Sequence, residues 1–120
     1  MNKENTKVLV VDDDVNVTKS FTRIFQKKGY ETDNATTGEE AILKAKAKFY
    51  DVTLIDIRLG DMNGNELLSK LDSHGRNMIK IILTGSVTTE PVDIEKADAY
   101  LLKPVNPQDL LSIIEKKIEK

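Results

Sequence analysis

The stretch "VLVVDDDV", Val8 to Val15, decides how the chain is read. Four branched apolar residues, Val8, Leu9, Val10 and Val11, run straight into three adjacent carboxylates, Asp12, Asp13 and Asp14. A short apolar run rich in valine and bounded by charges reads as a strand buried on both faces, here Lys7–Val11. Three neighbouring carboxylates repel one another at neutral pH. A strand that wants burial and ends in such a cluster needs something positive to meet it.

Outward from that strand the order of elements is regular. Val17, Phe21, Ile24 and Phe25 carry a helical spacing through Val15–Lys28, and Gly29 caps its end. Tyr30–Ala35 is a second, weaker strand. Thr37 and Glu40 form a capping box for a helix that runs through Ala41, Ile42 and Ala45 to about Phe49. "DVTLIDI", Asp51–Ile57, is a third strand, and Asn65–Leu71 is a third helix. Lys80–Thr84 and Ala99–Leu102 are the fourth and fifth strands, with a short fourth helix over Pro91–Ala97 between them. Asn106 is the N-cap of the last helix, with Pro107 at its first position and Asp109 in its first turn. Strands alternating with helices at this spacing imply parallel pairing through right-handed crossovers. The expected fold is α/β: a five-stranded parallel sheet with helices on both faces.

Composition sets bounds on function. A chain of 120 residues points to a single domain, 1–120, large enough for a core without staples. The absence of cysteine excludes disulfides, thiolate metal sites and a cysteine nucleophile, and it fits a reducing compartment. A net charge of −2, from 18 basic and 20 acidic residues, gives no broad footprint for nucleic acid. The N-terminal "MNKENTK" leads into an apolar run too short for a signal peptide, and nothing approaches a membrane span. The expectation is a cytoplasmic protein that touches neither membrane nor nucleic acid directly.

In open parallel sheets, ligands bind beyond the carboxyl ends of the strands. There the first strand delivers Asp12, Asp13 and Asp14, the third Asp56, the fourth Thr84 and the fifth Lys103. Each alone has a bland reading as a turn or cap residue. Together they suit phosphoryl chemistry. Magnesium, a hard ion that takes carboxylate oxygens, answers the crowded charge. A carboxylate can also act as a nucleophile and become an aspartyl phosphate, with a lysine and a hydroxyl meeting the phosphoryl oxygens.

This set resembles the receiver (response regulator) domain of two-component signalling, CheY-like, with a flavodoxin-like (βα)5 fold. The residues that carry the resemblance are "VLVVDDD", "DVTLIDIRLGDMNG", "IILTG" and "AYLLKPV", in the family's order. The separations of 43 residues from Asp13 to Asp56 and 28 from Asp56 to Thr84 also agree. The resemblance implies that Asp56 accepts a phosphoryl group from a sensor histidine kinase or a phosphotransfer protein. It implies Mg2+ held directly by Asp13 and Asp56, by the backbone carbonyl of Arg58, and mainly through water by Asp12. Thr84 then hydrogen-bonds the phosphoryl group, Lys103 pairs with it, and Pro104 follows a cis peptide. Thr84 and Tyr100 are the implied switch pair, Tyr100 turning inward on activation. The implied product is a phosphoprotein signalling to a downstream protein or an output domain, not an enzyme in its own right, though it assists its own phosphorylation and dephosphorylation.

Other residues read more plainly. Asp14 caps the first helix. Asp61 is a solvated loop residue, Asn63-Gly64 a turn signal, and His74 a surface histidine. Lys44, Lys46 and Lys48 form a solvated helix face. Two departures from the family stand out. Gly60 occupies the place of the family's usual proline, which loosens that loop. From Gly85 to Leu102 there are 18 residues, about one helical turn fewer than the family needs, hence the short fourth helix and a doubtful dimer face. The alternative reading is a haloacid-dehalogenase-type phosphatase with Asp12 as nucleophile. It leaves Asp56 without a role, and Asn16 departs from its motif.

Overall fold

In the computed structural model, which describes residues 6–85 and 97–118, the apolar strand that opens the reading has the expected bounds: β1 is Lys7–Val11. It is followed by α1 (Val15–Lys27), β2 (Glu31–Ala35), α2 (Gly38–Ala47), β3 (Val52–Asp56), α3 (Gly64–Lys70), β4 (Ile79–Thr84), β5 (Ala99–Leu102) and α4 (Pro107–Ile118). All five strands pair in parallel in the order β2-β1-β3-β4-β5. The expected short fourth helix over Pro91–Ala97 lies, but for Ala97, outside the described residues.

Alternation along the strands explains the two layers. Leu9 and Val11 of β1, with Ile55 and Ile82, face Ala41 and Ala45 of α2 and Leu67 and Leu68 of α3. Val8 and Val10, with Leu54, Ile81 and Leu83, face Phe25 of α1 and Leu110, Leu111 and Ile114 of α4. A strand with a helix on each face needs apolar residues at every position, which is why β1 and β3 read as continuous runs. Even Thr53 in β3 is fully buried, its hydroxyl donating to the sulfur of Met78 at 3.0 Å.

Element ends follow from local bonds. Lys28 is the C-cap of α1, and Gly29 follows with φ +88°, a conformation that costs glycine nothing. The Gly29 amide then reaches the Gln26 carbonyl and the Tyr30 amide reaches that of Phe25, closing the helix while the rings of Phe25 and Tyr30 meet at 6.2 Å. α3 starts one residue before the expected Asn65. Asn63 is its N-cap, accepting from the Glu66 amide at 2.8 Å, so the Asn-Gly pair begins a helix and does more than turn the chain. A Cβ on Gly64 would lie 2.9 Å from the Ile57 Cα, so only glycine lets this helix start against β3. Asn106 caps α4 as expected, accepting from the Gln108 amide at 2.8 Å.

The strand order reverses between β1 and β3: the chain leaves β1 toward β2 on one side, then returns to its other side. Such a switch point leaves a crevice at the carboxyl ends of the two strands. The ends that meet there are those of β1 and β3.

Candidate functional site

Three strands aim carboxylates and a lysine into that crevice. Asp12 and Asp13 follow β1 directly; Asp12 is 2% exposed, whereas Asp13 is open to solvent. Asp56 ends β3 and is 9% exposed. Oxygens of Asp12, Asp13 and Asp56 all lie within 4.8 Å of one another. Lys103 comes one residue after β5. Its Nζ donates to Asp12 Oδ2 at 3.0 Å and to Asp56 Oδ2 at 3.3 Å. Its amide donates to the Thr84 carbonyl at 2.7 Å, which fixes where the side chain starts, and the Lys103-Pro104 peptide is cis. The other carboxylate oxygens bond the backbone: Asp12 Oδ1 accepts from the Asp14 amide at 2.9 Å, and Asp56 Oδ1 from the Arg58 amide at 3.1 Å.

The electrostatics are unbalanced. Burial pushes the Asp56 carboxyl above the usual carboxylate range, and the charge of Asp12 adds to it; the Arg58 amide and Lys103 oppose this without reversing it. Burial would lower the Lys103 ammonium, but Asp12 and Asp56 outweigh it and raise its pKa. Three carboxylates share one lysine, so a second cation fits. All the donors are hard oxygens, and that favours Mg2+ over softer ions.

The other expected residues take clear places. Thr84 is buried at the end of β4, one residue past Leu83, the register partner of Asp56. Tyr100 lies on the edge strand β5 opposite Ile82 and is 40% exposed, outside the carboxylate cluster. Arg58 is exposed beyond β3, where it bridges to Asn63. Asp14 is the N-cap of α1, accepting from the Asn16 amide at 2.9 Å, and stands apart from the cluster as expected.

Three groups do more than their sequence reading suggested. Asp61 is exposed, yet its carboxylate accepts from the Gly38 amide at 2.9 Å and the Glu39 amide at 3.0 Å, joining the loop after β3 to the first turn of α2. Those two amides hold its carboxyl below the usual range. Lys48 is no idle member of a solvated face: it pairs with Glu31 at 3.0 Å and Asp33 at 2.9 Å. His74 is exposed with φ 54°, and its Nε2 lies 2.6 Å from the Ala45 carbonyl, tying the loop before β4 to the end of α2.

Comparison with known proteins agrees with this geometry. The family described as "Response regulator receiver domain" matches residues 8–115. The transcriptional regulatory protein YvrH of Bacillus subtilis is 30% identical over 114 residues, covering 92% of this chain and 48% of its own. The transcriptional regulatory protein ZraR of Klebsiella oxytoca is 31% identical over 109 residues, covering 88% of this chain and 25% of its own. The chain thus spans about half or a quarter of the curated relatives it matches. Among solved structures, a CheY-like receiver domain protein from Methanospirillum hungatei superposes with TM-score 0.85 at 37% identity, covering 96% of this chain and 94% of that one. The response regulator TrrA of Thermotoga maritima, in complex with Mg(2+)-BeF, gives TM-score 0.82 at 29% identity over 92% and 97% of the two chains. A phosphatase with Asp12 as nucleophile finds no support. It leaves Asp56, which ends β3 inside the same cluster beside Lys103, without a role. Among the described residues, no helix is long and apolar enough to cross a membrane.

Proposed function

Because this chain belongs to the response regulator receiver family of two-component signalling, we propose that its phosphoacceptor is Asp56 and that residues 1–120 act as one receiver unit. The observation that carries the reading is the meeting of Asp56 with Asp12, Asp13 and Lys103 at the sheet's switch point. A carboxylate oxygen of Asp56 attacks the phosphorus of a phosphohistidine on a sensor kinase or phosphotransfer protein. The new P–O bond forms, the P–N bond breaks, and the imidazole leaves and takes up a proton. Lys103 already spans Asp12 and Asp56, so its ammonium meets a phosphoryl oxygen with little movement. The Thr84 hydroxyl supplies a hydrogen bond to another. Water later attacks the same phosphorus, the bond from phosphorus to the Asp56 oxygen breaks, and inorganic phosphate leaves as the Asp56 carboxylate is restored.

Mg2+ would be held by Asp13, Asp56 and the Arg58 carbonyl, with Asp12 acting mainly through water, and when bound it neutralises charge on the phosphoryl oxygens. The exposure of Asp13 beside the nearly buried Asp12 supports that division. Thr84 and Tyr100 form the switch: contacts to the new phosphate draw Thr84 in and bias Tyr100 between two packings. The change is read by a downstream protein or an output domain, without direct nucleic-acid contact by this domain. A cytoplasmic location belongs to the same reading, supported by a chain without cysteine.

The test is covalent mapping. The protein is incubated with Mg2+ and acetyl phosphate, trapped with borohydride and digested for mass spectrometry. The expected label is on Asp56 alone. A label on Asp12, or none from acetyl phosphate and kinases alike, overturns the assignment.

A further inference from the structure

The loop after β3 supplies the Arg58 carbonyl; Leu59 and Met62 pack against the core, and the tip between them has no such anchor of its own. Gly60 sits there with nothing within 4 Å of the Cβ position, and Arg58, Gly60 and Asp61 are all exposed. At its base the loop is well fixed. The Ile57 amide donates to the Leu83 carbonyl at 2.9 Å, the Gly64 amide to the Ile57 carbonyl at 2.8 Å, and Arg58 bridges to Asn63. The tip is held from elsewhere. Asp61 Oδ1 and Oδ2 accept from two successive backbone amides at the start of α2, those of Gly38 and Glu39. Beside this contact, Met62 covers Gly38 so closely that a Cβ there would meet the Met62 Cγ at 2.5 Å. A carboxylate on the free amides of a helix start makes charge-assisted bonds and complements the helix dipole.

We propose that Asp61 is a positioning residue for the metal site: by fastening the loop tip to α2 it presents the Arg58 carbonyl in an ordered place before the ion arrives. The inference rests on the Mg2+ reading given above. It carries a reciprocal consequence. If the Asp61–α2 contact favours the ion by some factor, the ion favours the contact by the same factor. The first turn of α2, which holds no metal ligand, therefore tightens when the site fills.

Three proteins separate this role from plain stability. Asp61→Ala removes both bonds. Asp61→Asn keeps an acceptor oxygen. Thr37→Ala removes another cap of the same helix end, the hydroxyl that accepts from the Glu40 amide at 3.0 Å, without touching the loop. Mg2+ titrations followed by amide NMR read the affinity. Asp61→Ala should weaken Mg2+ by about tenfold, the lower end of what removing a residue that holds a metal ligand costs. Asp61→Asn should recover part of the loss, and Thr37→Ala should leave affinity unchanged. Without metal, exchange of the Arg58 and Gly64 amides should quicken in Asp61→Ala and not in Thr37→Ala. In the unmodified protein, Mg2+ should slow exchange at Gly38 and Glu39. If the unmodified protein binds no Mg2+ at millimolar levels, the metal reading falls and this inference with it. If it binds, and Asp61→Ala binds equally well or Thr37→Ala loses as much, the positioning role alone is overturned.

Discussion

Two places in this domain hold the same motif, two carboxylates bridged by one lysine, and the crevice adds a third carboxylate, Asp13. At the crevice, Lys103 spans Asp12 at 3.0 Å and Asp56 at 3.3 Å. At the outer edge of the sheet, Lys48 spans Glu31 at 3.0 Å and Asp33 at 2.9 Å. Their effects on the carboxylates are opposite. Burial and a like charge hold Asp56 above the usual range in spite of its lysine. Burial also pushes Asp33 upward, but the Tyr50 hydroxyl at 2.6 Å and Lys48 outweigh it, and its pKa falls. The side chains of Asp12 and Asp56 are 3% and 11% exposed, those of Glu31 and Asp33 55% and 37%. With similar bridging distances, deeper burial and the like charge of Asp12 at one site, and the Tyr50 hydroxyl at the other, separate the two. The edge cluster is content as it stands. The crevice cluster has negative charge left over, which a cation would meet.

The sharpest way to break this comparison is to neutralise one acid in each cluster. Asp56→Asn should abolish phosphorylation by acetyl phosphate, while Asp33→Asn should leave it intact. The same pair should move stability in opposite directions without metal. A group with a raised folded pKa disfavours its own charge, so the fold loses stability as pH climbs from the ordinary value, 3.8, through the folded one. At pH 7 the metal-free Asp56→Asn protein should therefore melt higher than the unmodified one, and Asp33→Asn lower. Urea melts in EDTA decide it. If Asp56→Asn melts lower, the crevice is not frustrated and the contrast collapses.

The lysines give the next largest effect. Lys103→Met leaves two nearly buried carboxylates without their cation and should cost about 2 kcal/mol, short of a fully buried pair because Asp13 opens the crevice to water. Saturating Mg2+ should recover most of that loss. Lys48→Met breaks pairs in a more exposed setting and should cost under about 1 kcal/mol, with no response to Mg2+. Equal costs, or equal rescue by Mg2+, would show that burial does not distinguish the sites.

The crevice was legible in the sequence and the edge cluster was not, for a physical reason. Asp12, Asp13, Asp56 and Lys103 each stand at the carboxyl end of a strand or one or two residues past it, and parallel pairing puts all strand ends on one edge. Their meeting follows from topology alone. Lys48, by contrast, meets Glu31 and Asp33 only because α2 packs beside the edge strand β2. One signal was available: Glu31 and Asp33 are two apart and so share a face of β2. Asp61 was harder to read. Its partners are backbone amides 22 and 23 residues away, and an amide leaves no mark in a sequence. Asn63-Gly64 was ambiguous because the same pair suits a turn and a helix start; the approach of Ile57 to Gly64 decides for the helix.

The smallest effect tests what holds the edge cluster down. Tyr50 is 2% exposed and gives its hydroxyl to Asp33, so Tyr50→Phe should cost about 1 kcal/mol at pH 7, less than a buried bond to a charged group because Asp33 is partly solvated. The cost should depend on pH at both ends. Asp33 has a depressed folded pKa, so its contribution is present above the ordinary value, 3.8, and is lost as pH falls through the folded one. Without the hydroxyl that depression shrinks, and the two proteins converge in acid. Burial, then the bond to Asp33, pushes the Tyr50 phenol well above its ordinary value of 10.0. The unfolded chain releases that proton first, so the unmodified protein loses stability as pH rises beyond the ordinary value, and Tyr50→Phe does not. The difference should therefore be greatest between about pH 5 and pH 9 and shrink on either side. A difference that stays flat from acid to alkali would assign the cost to packing alone, and Lys48 would then be what keeps Asp33 charged.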